Sequence, residues 1–137
     1  MKIGLVREGK IPIDRRVPLT PSQSSQLSNL YNIEVVVQPS DIRAYSDREY
    51  EECNIKLQEN LEDCDVLLGV KEVPIHDLLP QKTYFFFSHT FKQQPYNAKL
   101  LKACVQKGIR LIDYELLKRS GSRVVAFGRF AGLVGAY

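Results

Sequence analysis

The sequence predicts an α/β fold of three layers, with a mostly parallel sheet in the middle. Three observations predict it. Strand-like and helix-like runs alternate along the chain. Two apolar runs, 65–70 and 83–88, have the length of strands buried on both faces. Helix starts and stops are marked by Thr20-Pro21, by Ser46 with Glu49, and by Gly108.

Taken in order, residues 2–6 read as the first strand, followed by a polar loop over 7–18. Thr20 as N-cap and Pro21 at the first helical position open a helix, with Leu27 and Leu30 on its apolar face. Residues 33–37, rich in β-branched side chains, form a second strand. Ser46-Asp47-Arg48-Glu49 has capping-box spacing and opens a short helix toward Cys53. Residues 65–70 are the third strand. Pro74 and Pro80 bracket a connection with room for one helical turn, and residues 83–88 are the fourth strand. Asn97 is the expected cap of a helix through Lys107, with Leu100, Leu101, Cys104 and Val105 facing inward. Residues 109–112 are a fifth strand, and 123–127 another after the turn Ser120-Gly121-Ser122. These elements make a flavodoxin/Rossmann-like domain.

The chain has 137 residues, enough for one domain with a core and too few for two. Its net charge of +3 is mild and its basic residues are scattered, which argues against nucleic acid or an anionic membrane surface as partner. No apolar run approaches the roughly 20 residues that span a bilayer, and residues 1–6 are too short for a signal-peptide core. Cys53, Cys64 and Cys104 are odd in number and form no CxxC, so they read as packed thiols in a reducing cytoplasm. Two histidines without cysteine pairing give no metal spacing, and His76 reads as a surface residue. Residues 128–137 are small, apolar and helix-like with no cap or polar tail. The expected organisation is therefore a domain over 1–127 and, over 128–137, the start of a helix leading into a further domain.

Ligands of open α/β sheets bind outside the carboxyl ends of the strands. The two apolar runs end there in Lys71 and His89. Alone, Lys71 reads as a solvated lysine paired with Glu72, and His89 as a hydrogen-bonded residue at the core edge. Together they form an acid–base pair in one crevice. Arg15 and Arg16 read as solvated loop residues or, with one turned inward, as a two-pronged carboxylate clamp. Lys92, three residues past His89, could add positive charge for an anionic substrate. Glu115 reads as a surface residue or as one that orients a histidine or lysine. Gly128, Gly132 and Gly135 suit helix packing. No P-loop, no dinucleotide fingerprint and no Ser/His/Asp order occurs.

Several stretches carry a family resemblance. Asp14-Arg15-Arg16-Val17-Pro18-Leu19-Thr20-Pro21 and Gly69-Val70-Lys71-Glu72-Val73-Pro74 resemble the arginine loop and the VKE element of the alanine dehydrogenase and nicotinamide nucleotide transhydrogenase N-terminal domain. Phe87-Ser88-His89-Thr90-Phe91-Lys92-Gln93-Gln94, Arg110-Leu111-Ile112-Asp113-Tyr114-Glu115 and residues 123–132 look like the lysine-forming saccharopine dehydrogenase (lysine–ketoglutarate reductase) branch. Ahead of the arginine, only Asp14 and Lys10 match that branch's charged pattern. The resemblance implies the catalytic, substrate-side domain of an NAD(P)-dependent oxidoreductase. NAD or NADP would bind mainly to a Rossmann domain that follows in cis, and no metal would be used. It implies Lys71 and His89 as acid–base groups and Arg16 on a substrate carboxylate. Lys92, Glu115 and Arg123 would be further substrate-side residues. The reaction implied converts saccharopine to or from lysine plus 2-oxoglutarate, and the chain alone would be inactive. The alternatives are an alanine dehydrogenase-like domain or a non-catalytic amino-acid-binding module. An oligomer is compatible with all of these.

Overall fold

Local rules place each element. The computed structural model describes residues 1–126 and 128–135, at 129–131 as backbone only. β1 (Lys2–Leu5), β2 (Glu34–Val37), β4 (Val66–Leu68), β5 (Thr83–Phe86) and β6 (Arg110–Asp113) are the anticipated strands. β3 (Lys56–Leu57) is an addition, because two residues carry no apolar run to announce it. The six strands are all parallel and lie in the order β3-β2-β1-β4-β5-β6. Strand order reverses between β1 and β4, which is where doubly wound sheets open a ligand crevice.

Helix α1 (Pro21–Tyr31) begins in a reciprocal capping box between Thr20 and Gln23, and α2 (Asp47–Glu52) in one between Ser46 and Glu49. α3 (Ala98–Gln106) follows two short 3-10 turns. Its cap differs from expectation: the Asn97 side chain makes no capping bond and instead donates to the His89 carbonyl at 3.0 Å. α3 buries the stripe Leu100, Ala103 and Cys104, leaving Leu101 and Val105 exposed. Those two lie four apart on their own stripe, about 100° around a helix of 3.6 residues per turn from the buried one. Leu30 is likewise exposed, because α1 seats its small side, Pro21 and Ser24, against the sheet.

Alternation divides the core. Val36, Leu67, Tyr84 and Phe86 face one way and pack with Leu100 and Cys104 of α3. Ile3, Leu5, Val35 and Val37 face the other way and pack with Tyr50 of α2. All three cysteines are free thiols. Across β4, β5 and β6 the register aligns Leu68, Phe85 and Ile112, all half-buried. In place of the strand expected over 123–127, Ser122–Arg123 (β8) pairs antiparallel with Lys118–Arg119 (β7). Ser120 and Gly121 both have positive φ, which a two-residue hairpin turn of this twist requires. Phe127 lies outside the described residues, as do Ala136 and Tyr137 beyond α4 (Gly128–Val134).

Candidate active site

Parallel strands deliver whatever follows them to one edge of the sheet. β4 and β5 are neighbours, and their pairing continues past the strands: Gly69 N–H donates to the Phe85 carbonyl and Phe87 N–H to the Val70 carbonyl. Lys71 and His89 therefore leave adjacent strands at the same edge. Glu8, just after β1, joins them: its carboxylate accepts from Val70 N–H at 2.7 Å and Lys71 N–H at 2.8 Å. Burial raises the Glu8 pKa above its ordinary value, and these two backbone bonds oppose the rise.

The arginine loop closes over the same edge. Arg16 grips Asp14 through Nε, at 2.9 Å, and through Nη2, and its own N–H donates to Asp14 at 3.0 Å. Those bonds hold the Asp14 carboxyl below its usual range, helped by the Lys71 charge. Arg16 also opposes the rise at Glu8 electrostatically. Arg15 is exposed and bonds the Ile42 carbonyl, so of the two arginines it is Arg16 that turns inward. Glu72 pairs with Lys10 at 2.5 Å rather than with Lys71.

The second group of charges surrounds His89. Its Nδ1 lies 2.9 Å from Glu115 Oε2, and Lys92 Nζ lies 3.0 Å from the same oxygen. Arg123 Nη2 lies 2.9 Å from Glu115 Oε1. Glu115 is not at the surface: it is buried among three cationic or proton-bearing partners. The Lys92 hydrogen bond, then that of His89, holds its pKa below the ordinary carboxylate value. A carboxylate only accepts, so the Nδ1 contact is made by an N–H donor. The 3.3 Å between Lys92 Nζ and Nδ1 is then an approach of two donors sharing one carboxylate. In the neutral ring this arrangement leaves the Nε2 lone pair as a proton acceptor.

His89 adopts a left-handed backbone, φ 54° and ψ 13°, which costs an L residue about 1–3 kcal/mol and persists only where its surroundings impose it. Here they do. Asp113 accepts from His89 N–H at 2.7 Å, Asn97 donates to the His89 carbonyl, and Lys92 N–H donates to the same carbonyl at 3.1 Å.

An aromatic floor joins the two charged groups. Phe87 stacks near the His89 ring at 6.4 Å between centroids and meets Tyr114 at 5.2 Å. Burial, then the Glu8 charge, pushes the Tyr114 hydroxyl pKa up, so Tyr114 stays neutral and available as a donor. Sequence pattern does not single out Glu8, Asp113, Tyr114 or Phe87. Glu8 and Asp113 nonetheless obey the same rule that picks Lys71 and His89, being charged residues at a strand's carboxyl end. Two concavities near this edge include neither Lys71 nor His89: a groove of about 900 Å³ beside Arg15, Arg43 and Asp47, and a crevice of about 390 Å³ that touches Glu8. His76 is exposed against Asp77.

Comparison with known proteins bears on this arrangement. The family model described as alanine dehydrogenase/PNT, N-terminal domain, matches residues 4–134. The chain is 44% identical over 134 residues to mitochondrial alpha-aminoadipic semialdehyde synthase of Bos taurus, covering 97% of this chain and 14% of that protein. It is 31% identical over 132 residues to an NAD(+), L-lysine-forming saccharopine dehydrogenase of Candida albicans, covering 91% of this chain and 34% of that protein. It superposes on a solved L-alanine dehydrogenase with a TM-score of 0.72 at 20% identity, over 88% of this chain and 34% of that one. A transhydrogenase from Sinorhizobium meliloti gives the same score at 19% identity, over 87% of this chain and 36% of that one. These two likenesses concern the fold.

Proposed function

We propose a function from the premise that this chain belongs to the alanine dehydrogenase/PNT N-terminal domain family. It is the substrate-side, acid–base domain of an NAD(P)-dependent oxidoreductase acting on a CH–NH bond, of the saccharopine dehydrogenase kind. The observation that carries this reading is the delivery of Lys71 and His89 to one sheet edge, within a frame of Arg16, Lys92 and Arg123.

The chain's own residues do not fit a dinucleotide. Its strand order suits one, but the β1–α1 connection has no glycine-rich turn. At the start of α1, which would face a pyrophosphate, the Gln23 N–H is covered by the Thr20 hydroxyl and the preceding Thr20 N–H by the Gln23 side chain. NAD or NADP is accordingly assigned to a Rossmann domain following residue 137. The chain spans 14% and 34% of the length of the bovine and Candida relatives, which leaves room for one. The open setting of Lys71 and His89 suits one wall of a cleft that the second domain closes, and the chain alone is then inactive.

The reaction proposed interconverts saccharopine with lysine plus 2-oxoglutarate. In the cleavage direction the reacting carbon would give up hydride to the nicotinamide held by the second domain, leaving an imine. Water adds to the imine, the carbinolamine collapses to lysine and 2-oxoglutarate, and each stage moves a proton. His89, with Nδ1–H on Glu115, offers Nε2 to take and return one. Lys71 offers the second group. Arg16 exchanges part of its grip on Asp14 for a substrate carboxylate, orienting the reacting carbon. Lys92 and Arg123 face a second carboxylate, and Glu115 keeps their side chains in place.

In the full-length protein, Lys71→Met and His89→Gln should each lower kcat about 10²–10⁴-fold. Near-normal kcat in both would remove them from the chemistry. Saccharopine, lysine with 2-oxoglutarate, and alanine, each assayed with both nucleotides, separate the substrate from its rivals. A cytoplasmic site belongs to the same proposal. The bovine relative is named as mitochondrial, so imaging the tagged full-length protein decides the compartment.

A further inference from the structure

Asp113 closes β6 and is buried at 5% exposure, yet it forms no ion pair among the described residues. Its carboxylate is instead filled by four hydrogen-bond donors. Oδ2 accepts from Ser88 N–H at 3.0 Å, from the Ser88 hydroxyl at 2.7 Å and from His89 N–H at 2.7 Å. Oδ1 accepts from Glu115 N–H at 2.8 Å. One oxygen therefore holds the backbone of the residue that bears the imidazole. The other holds the backbone of the residue that bears its carboxylate partner.

We propose that Asp113, backed by the Asn97 amide on the His89 carbonyl, is a positioning residue that sets His89 and Glu115 in register and so fixes the imidazole proton on Nδ1. The inference rests on the acid–base reading of His89. It also explains why a non-glycine residue occupies a left-handed turn there. Released from Asp113, the His89 backbone would relax toward a common conformation and its ring would swing off Glu115. The groups facing Nδ1 are Glu115 and Lys92, with Arg123 on the far oxygen of Glu115. Asp113 is the acceptor common to both backbones.

Asparagine is the discriminating substitution. It keeps the shape but replaces one acceptor oxygen by an NH2 group. Whichever way the amide turns, a donor then faces either the Ser88 and His89 N–H groups or the Glu115 N–H.

The chain has two histidines, so long-range proton–nitrogen spectra of the 15N-labelled protein resolve each ring, with exposed His76 as reference. In the unsubstituted chain His89 should show the Nδ1–H neutral tautomer and His76 mainly the Nε2–H tautomer. In Asp113→Asn, with the amide spectrum still that of a folded chain, the His89 pattern should move to that of His76. An unchanged His89 pattern in the folded variant would overturn the proposal, as would an Nε2–H ring in the unsubstituted chain. If Asp113→Asn does not fold, Asn97→Ala reads the same signal: a shift toward the His76 pattern supports the proposal and an unchanged pattern overturns it. Because the spectrum needs no turnover, this result and the kinetic loss in His89→Gln can fail separately.

Discussion

Three carboxylates in the crevice titrate in opposite senses, and stability should show it. Glu115 and Asp14 have folded pKa values below their unfolded ones. Each contributes stability that is present above the unfolded pKa and lost as pH falls through the folded one. Glu8 has a raised folded value, so the folded state binds its proton more tightly. Its contribution is present at low pH and declines as pH rises from the unfolded pKa through the folded one. Urea midpoints measured across the acid range should therefore fall less steeply toward low pH in Glu115→Gln than in the parent. Glu8→Gln should remove that decline toward neutral pH, but its amide accepts from only one of the Val70 and Lys71 N–H groups and turns a donor on the other, so its midpoint should lie below the parent's at low pH. Parallel curves for parent and Glu115→Gln would refute the pairing of Glu115 with its three partners. At the same scale, Arg16→Lys keeps charge but loses the planar fork. A charged hydrogen bond is worth about 1.5–3 kcal/mol, so KM for the keto acid in the full-length enzyme should rise at least about tenfold, with kcat changed less. Much of this site is legible in the sequence: Lys71, His89, Arg16 and Lys92 declare themselves as charges at strand ends or in the first loop. The burial of Glu115 is not, because it depends on Arg123 arriving from a hairpin that no periodicity announces. Asp113 looks in sequence like an ordinary strand terminus, and only the folded arrangement reveals its four donors.

At the level of elements, caps and close contacts are easier to read than faces. Thr20-Pro21 and Ser46 with Glu49 start helices where their chemistry dictates, since each side-chain oxygen and its return partner satisfy otherwise unpaired N–H groups. Thr20→Ala should cost about 1 kcal/mol in urea unfolding and Thr20→Ser much less. Equal losses would mean that the methyl, not the hydroxyl, matters there. Which face of a short helix turns inward is harder. Leu101 and Val105 are as apolar as Leu100 and Cys104, and the choice falls to the stripe containing small Ala103. β1 makes a sharper demand. A Cβ at Gly4 would lie 2.8 Å from Leu67 Cδ2, 3.0 Å from Leu61 Cδ1 and 3.1 Å from Cys64 Sγ. Gly4→Ala should therefore destabilise by about 1–3 kcal/mol through overpacking. An unchanged denaturation midpoint would show that these side chains yield. The strand succession is legible because the apolar runs are long. β3 and the β7–β8 hairpin are not, being two-residue strands whose pairing is set by tertiary context.

For the molecule as a whole, the sheet gathers charge that the sequence scatters. The net charge is only +3, but the carboxyl edge collects Arg16, Lys71, Lys92 and Arg123 against Glu8, Asp14 and Glu115, with an imidazole beside them. With Asp113 buried at the same edge, four carboxylates balance the four cations, so a preference for a dianion rests on arginine forks positioned to exchange partners. A dicarboxylic keto acid such as 2-oxoglutarate should bind the folded chain and not the unfolded one. At 100 times its Kd it should add about 2.7 kcal/mol to the unfolding free energy, which for a domain of this size raises Tm by about 9 °C. The gain should shrink as salt is added, because exposed charges are screened over about 8 Å at physiological ionic strength. It should also disappear in Arg16→Ala combined with Arg123→Ala. A monocarboxylate of similar size should stabilise less than the dicarboxylate. Equal shifts for the two acids, or a shift that persists at high salt in the double variant, would mean that the ligand sits elsewhere, and the edge of β4, β5 and β6 would lose its standing as the substrate's wall.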